Sequence, residues 1–289
     1  MVANLHEKSL GDGQRVLNTP IGNMPVRALA GSPRPEAEES DPNIVSSLGS
    51  HPVLARNLAR ALELSAKARA GVERAMFVRP AGGKGTASGD FCDAFSLDNG
   101  ALALIVGDIC GQGARSAAHV PEVRAMLRLA LYGDPDPATA LDCINAALCE
   151  DISERAPFVC ASIAILQPKS GTGVFAGAGM HPPMIVSTTA MHRSVKVGGP
   201  PLGIFKETRY AGAQRALSHK DVLIMGTNGI FDIGGPYRPL GAERLLKWAN
   251  GLVPLHSLCA IGQMLMDEVE SYARGSITDD CALLLARLI

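Results

Sequence analysis

The sequence predicts an α+β sandwich in which two antiparallel sheets are covered by helices. Three observations lead there. Predicted strands outnumber helices, consecutive strands join into hairpins, and the helices come in pairs between runs of strands. A doubly wound parallel sheet needs strand and helix to alternate, and this chain does not do so.

Residues 1–50 are rich in Gly, Pro and Ser, and no Phe, Trp or Tyr precedes Phe77. Such a segment buries too little apolar area to order itself, so 1–50 reads as largely disordered. Beyond it Leu54, Leu58, Ala61, Leu62 and Ala66 recur at helical spacing, with Arg56, Arg60 and Lys67 elsewhere on the wheel. The spacing predicts a lead-in helix over 51–76, docked on the following domain or pairing two copies as a homodimer through 52–76.

The main domain spans 74–289. Residues 75–78 and 90–97 read as strands, and 101–106 is an unbroken apolar run suited to a buried strand. Asn99-Gly100 between the last two is a hairpin signal. Residues 114–131 read as helix, interrupted or kinked at Pro121. A second helix follows Asp136-Pro137, with Asp136 as N-cap and Pro137 at the first helical position. Strands resume at 158–166 and 173–178 around a turn at 168–171, then at 184–187, 209–216 and 221–225. A short helix over 242–250 carries Trp248, the only tryptophan, and a helix over 257–274 precedes the last strand, 280–288.

Composition narrows the function classes. Of 289 residues 47% are hydrophobic and only 4% aromatic, so a sizeable core must be built from aliphatic side chains and Met. Formal net charge is −1, from 27 basic and 28 acidic residues, without the basic footprint of a nucleic-acid binder. Seven scattered cysteines without a CxxC pair argue for free thiols in a reducing compartment. No signal-peptide core and no run of 18 apolar residues occurs, so a cytoplasmic protein that does not span a membrane is expected.

Four acidic stations carry the chemistry: Ser88-Gly89-Asp90-Phe91-Cys92-Asp93, Gly107-Asp108-Ile109-Cys110-Gly111-Gln112-Gly113, Gly226-Thr227-Asn228-Gly229 and Thr278-Asp279-Asp280. Hard oxygen ligands gathered from remote parts of a chain suit Mg²⁺ or Mn²⁺. A pair of such ions about 4 Å apart can activate water for displacement at phosphorus. Asp108 ends the apolar run and meets two glycines, which allow close approach to the backbone. A nucleotide-loop reading fails, because Gly-x-x-x-x-Gly-Lys-Ser/Thr is absent.

The order of these stations resembles the PPM-type metal-dependent serine/threonine phosphatases, in the bacterial branch of stage II sporulation protein E and the sigma-factor regulators. The chain reads SGDFCD (88–93), GDICGQG (107–113), Phe158-Val159-Cys160, AGMHPP (178–183), PPLGIF (200–205), GTNG (226–229) and DD (279–280). The resemblance covers about 74–289. It implies an αββα sandwich with two Mn²⁺ or Mg²⁺ ions at one end of the sheets. Asp108 would bridge both ions, the Ile109 carbonyl would serve the second, Asp279 the first, and Asp90 would bind directly or through water. Asn228 stands at the family's third metal Asp, and Asp93, Asp280 and His181 are candidates for the surrounding shell. Metal-activated hydroxide would be the attacking group, and Cys92 and Cys110 would be packing residues. The implied substrate is a phosphoserine or phosphothreonine on a regulatory partner of the anti-sigma-factor-antagonist type.

Three departures support an alternative. Asn228 removes a negative charge, Met180 stands where the family has its AGH histidine, with His181 one place later, and Gln112 replaces the usual Lys. Together they fit a pseudophosphatase that binds a phosphoprotein without turnover. A small-molecule phosphohydrolase on the same fold is a third reading. If the metal reading holds, the carboxyl groups of Asp90, Asp108 and Asp279 and the Asn228 amide should lie within roughly 4–6 Å of one another.

Overall fold

In the computed structural model the chain divides into two compact units, Met1–Arg56 and Asn57–Ile289. The structure describes the backbone of residues 7–10, 14–19 and 22–25, and residues 71–289 apart from 82–85, 112, 151–157, 188–192, 220, 236, 254–255 and 276. In the first unit β1 (Glu7–Leu10), β2 (Gln14–Thr19) and β3 (Gly22–Pro25) form an antiparallel sheet in chain order. Their register runs from Glu7↔Leu17 to Leu10↔Gln14 and from Val16↔Pro25 to Thr19↔Gly22.

The second unit starts its regular structure with β4 (Val72–Arg79), where the sequence predicts the end of the lead-in helix. Strand wins over 72–76 because β4 pairs antiparallel with β13 (Cys281–Leu288) along its whole length, from Val72↔Leu288 to Arg79↔Cys281. The rest of the expected helix, 51–70, lies outside the described residues. A hairpin follows, β5 (Asp90–Ser96) and β6 (Leu102–Ile109), closed at Asn99-Gly100 by Leu97 N–H donating to the Ala101 carbonyl at 2.8 Å.

Helix α1 (Ala114–Ala117) stops before Pro121, and α2 (Val120–Gly133) restarts with that proline in its first turn, where a missing N–H costs nothing. Helix α3 (Pro137–Glu150) begins as predicted: Asp136 Oδ1 accepts from Thr139 N at 2.8 Å. Then come β7 (Val159–Gln167), β8 (Thr172–Ala178), β9 (Met184–Ser187), β10 (Arg193–Ser194), β11 (Ala213–Ala216) and β12 (Asp221–Gly226). After β12 the chain forms α4 (Asn228–Phe231), α5 (Ala242–Leu252) and α6 (Leu258–Tyr272) before ending in β13.

Two five-stranded antiparallel sheets result, in the orders β10-β9-β12-β13-β4 and β11-β8-β7-β6-β5. Leu104, Val106, Met225 and Leu284 belong to the apolar layer between them. On one outer face Ile105 and Ile163 join Leu127 of α2 and Leu141 of α3. On the other, Ile224 and Leu283 join Leu245 of α5 and Leu265 of α6. Because β6 is covered on both faces, both parities of its sequence are apolar, which is why 101–106 reads as an unbroken run. The architecture is the αββα sandwich. Among the described residues no helix is long and apolar enough to cross a membrane, and all seven cysteines are free.

Strand parity corrects one site expectation here. Cys92 and Ala94 face the layer between the sheets, whereas Phe91 and Phe95 face α2 and α3. Asp93 shares the latter parity and so turns away from Asp90, into the helical layer. It is 3% exposed and accepts from Arg128 Nε and Nη2 at 2.7 and 2.6 Å and from Arg124 Nε at 3.3 Å. Burial alone would raise its pKa. The hydrogen bonds from Arg128 and then Arg124 override that and hold it below the usual carboxylate value. Asp93 therefore rivets α2 to the sheet. Its folded pKa is depressed, so its stabilisation is present above the ordinary carboxylate pKa and is lost as pH falls through the folded value. Arg128→Ala should cost about 2 kcal/mol at pH 7 in urea unfolding, less than the roughly 3–5 kcal/mol of a fully broken buried pair because Arg124 remains. The cost should shrink on acidification; an equal loss at pH 7 and pH 3 would contradict this assignment.

Candidate functional site

Asp90 opens β5 and Asp108 stands one residue before the end of β6, and the antiparallel register sets them directly opposite one another. Both share the parity of Cys92 and Val106, so their carboxyl groups stand at one end of the layer between the sheets. Gly107, between Val106 and Asp108, leaves room for the Phe91 ring, which a Cβ there would strike. Asp90 is 5% exposed, and its Oδ2 is buried with no hydrogen-bond partner.

The loops of the other sheet close over this corner. Asp280 accepts from Ala81 N and Gly89 N, each at 2.9 Å, which pins the residue preceding Asp90. Asp280 N in turn donates to Asp279 Oδ1 at 2.9 Å. Thr227 ties β12 to β13: its N–H donates to the Ala282 carbonyl at 3.0 Å, and its Oγ1 accepts from Ala282 N at 2.8 Å. Asn228 follows as the first residue of α4. Gly229 packs so tightly on the Asp280 carbonyl that any side chain there would collide with it. The third and fourth acidic stations are thus one structural unit, held against the first. Ile109 joins through its N–H, which donates to the Gly89 carbonyl at 3.2 Å.

The electrostatics record this crowding. Burial, first, pushes Asp90 up to about 9; a hydrogen bond from Thr227 opposes the rise, and the charges of Asp108, Asp280 and Asp279 add to it. Burial also raises Asp108, against the hydrogen bond it shares with Asp90 and together with the charges of Asp279 and Asp280. Burial and the neighbouring carboxylates thus disfavour the charged form of Asp90. A buried acidic pair with one oxygen left unpartnered is an arrangement that a divalent cation would relieve.

Other expectations fare differently. Among the described residues, no three His, Cys, Asp or Glu side chains are gathered closely enough to cage an ion by themselves. Asp280 is turned onto backbone amides, and Asp279 is exposed and acts on the pair through its charge. His181 stacks on Phe231 of α4 at 4.4 Å between ring centroids, with Nε2 3.4 Å from Asp232 Oδ1. It supports the far end of α4. Met180 packs against the layer between the sheets, and Gln112 lies outside the described residues. Cys92 packs as expected, but Cys110 is exposed. The Cys110 thiol engages Cys160, the register partner of Asp108, which lowers Cys110 and raises Cys160. Thr227 is the residue that sequence reasoning passed over, although it sits inside the third station.

Known proteins share this fold. A family model described as stage II sporulation protein E (SpoIIE) matches residues 98–289, a span that holds Asp108, Asn228 and Asp279 and starts after Asp90. Stage II sporulation protein E of Priestia megaterium is 25% identical over 206 residues, covering 71% of this chain and 34% of that protein. The chain thus spans about a third of that relative's length. Among solved structures, the RsbU and RsbW domains of Rv1364c from Mycobacterium tuberculosis superpose with a TM-score of 0.63 at 26% identity, over 75% of this chain and 61% of that one. The PP2C phosphatase domain with a regulatory-domain fragment of SpoIIE from Bacillus subtilis gives 0.64 at 24% identity, with the same two coverages.

The raised pKa of Asp90 has a consequence for stability. The folded state holds this proton more tightly than the unfolded chain does, so the group's contribution worsens as pH rises from about 4 toward 9. At pH 8, in chelator, Asp90→Asn should raise the melting temperature by at least about 3 °C, the size of a 1 kcal/mol change in a domain of this length. The gain should vanish near pH 4. A melting temperature lowered at both pH values would contradict the assigned burial of an unrelieved acid.

Proposed function

The chain belongs to the stage II sporulation protein E family, and we propose that it is a metal-dependent protein phosphatase acting on phosphoserine or phosphothreonine. The single observation that carries this reading is the buried Asp90–Asp108 pair with its unpartnered oxygen, in a corner shared with Asp279 and Asn228. Asp108, Asp90 and Asp279, with the Ile109 carbonyl and the Asn228 amide oxygen, are the groups that would hold two Mn²⁺ or Mg²⁺ ions. When bound, such ions would supply ionised water at neutral pH and offset charge on the phosphoryl oxygens.

The chain's own residues then have definite tasks. Asp280, through Gly89, fixes where Asp90 stands, and Thr227 fixes the turn that presents Asn228. The apolar layer behind the pair keeps water from its inner side, so the carboxylates act in a low-dielectric surrounding where charge effects are large. Neither serine nor cysteine is needed as a nucleophile. The substrate proposed is a phosphorylated regulatory protein of the anti-sigma-factor-antagonist type. Likeness to the solved RsbU and RsbW domains and to stage II sporulation protein E supports it.

Purified protein should hydrolyse a phosphoserine peptide with Mn²⁺ or Mg²⁺ and not in chelator. Asp108→Ala should lower kcat/KM by about 10³-fold, roughly 4 kcal/mol of barrier. Unchanged turnover in that variant overturns the role of Asp108.

Asn228 favours a second reading, in which the site binds a phosphoprotein without turning it over. An amide oxygen in place of a carboxylate leaves one anionic ligand fewer for a dication. Calorimetric titration separates the two readings when combined with turnover. If the wild type is inert while Asn228→Asp binds Mn²⁺ about tenfold more tightly and gains hydrolysis, the binding reading holds. Robust wild-type turnover ends it.

A further inference from the structure

A cavity of about 670 Å³ opens where the turn after α4 meets the C-terminal end of α6. Its lining includes Arg238, Tyr272 and Arg274, and it extends to Thr278, the residue before Asp279. The cavity thus reaches the residue that precedes Asp279 in the chain. Three arginines gather about Tyr272. The Tyr272 hydroxyl donates to the Arg238 carbonyl at 3.1 Å, the Arg244 guanidinium lies 5.1 Å from the ring centroid, and Arg274 follows two residues later.

None of these arginines has a carboxylate partner among the described residues, as is also true of Arg115, Arg193 and Arg215 elsewhere. Glu268 is the one carboxylate in the lining. In a chain of formal net charge −1, this cleft carries a local positive excess.

The backbone shows that the arrangement is held in place. Arg274 has φ of 56° and is the one non-glycine residue with positive φ among the described residues. It occupies the left-handed position after α6, with Arg274 N donating to the Ser271 carbonyl and Gly275 N to the Glu270 carbonyl, both at 3.0 Å. Glycine is the residue that normally fills this position, because it adopts the conformation without strain. Here a guanidinium stands there instead, at the cavity wall. Across from it, Gly234 leaves no room for a side chain between the Arg238 carbonyl and Tyr272, so the turn bearing Arg238 is closely seated. Strain kept at a charged residue that lines a cavity points to a ligand of opposite charge.

We propose that this cleft docks an acidic segment of the phosphoprotein substrate, next to its phosphorylated residue, and so delivers the phosphoryl group to the corner of Asp279 and Asp108. The inference deepens the phosphatase reading and rests on it for the identity of the occupant. Arginine suits the task because its planar fork holds carboxylates in two-point contact.

The test pairs binding with turnover and uses the full chain. Fluorescence anisotropy would follow a labelled, unphosphorylated acidic peptide and a neutral peptide of equal length. The wild type should prefer the acidic peptide, and added salt should weaken that preference. The double variant Arg238→Gln, Arg274→Gly should bind the acidic peptide about tenfold more weakly, as expected for two exposed charge contacts. Because glycine relieves the positive φ, the melting temperature should not fall, and lost binding cannot be assigned to unfolding. Equal affinity for the two peptides, or an acidic-peptide affinity unchanged in the variant, overturns the docking role whether or not the protein is a phosphatase. With phosphorylated versions, the ratio of kcat/KM for acidic over neutral peptide should drop about tenfold in the variant. Absence of any hydrolysis, with docking intact, would count against the enzymatic reading and leave the cleft assigned.

Discussion

The register of β5 against β6 holds Asp90 opposite Asp108 at the end of a dry apolar layer, and much of the local architecture follows from that placement. Two carboxyl groups so placed cannot both ionise without a counter-charge. The fold leaves one oxygen of Asp90 unsatisfied and brings Asp279 and Asp280 near, which raises both acids further. A sequence selected for stability alone would place apolar residues there. Four acids at one corner carry an electrostatic cost that a bound cation would offset.

Around this corner the remaining interactions serve as scaffolding. Asp280 spends both carboxylate oxygens on backbone amides of the chain leading into β5, and Thr227 joins β12 to β13 immediately before Asn228. The two sheets are thereby coupled at the point where their acidic residues meet. On the outer side Asp93, Arg124 and Arg128 fasten α2 to the same strand that carries Asp90. One short strand thus bears two acids, one with an unpartnered oxygen on the inner face and one held by two arginines on the outer.

Much of this was legible in the residues, and the exceptions have physical reasons. The buried strand 101–106, the hairpin at Asn99-Gly100, the helix break at Pro121 and the Asp136 cap are local matters, decided by a few neighbouring residues, and they stand in the structure. The start of β4, over 72–74, was hidden because its partner β13 lies some two hundred residues on, beyond any local periodicity. Asp93 was open to correction from the sequence alone, since an odd separation from Asp90 along a strand puts the two on opposite faces. His181 was not, because nothing in AGMHPP tells that its ring will lie on Phe231. The arginines about Tyr272 come from three separate segments and become a group only in the folded chain.

The account rests on the claim that the Asp90–Asp108 pair is built for a divalent cation. Crystals grown with Mn²⁺ and measured at the manganese absorption edge test it most directly. The account predicts anomalous peaks within ligating distance, about 2.0–2.4 Å, of Asp108 and between the two sheets' acidic loops. A map with no anomalous peak beside Asp90 and Asp108, at millimolar Mn²⁺ and neutral pH, would contradict it.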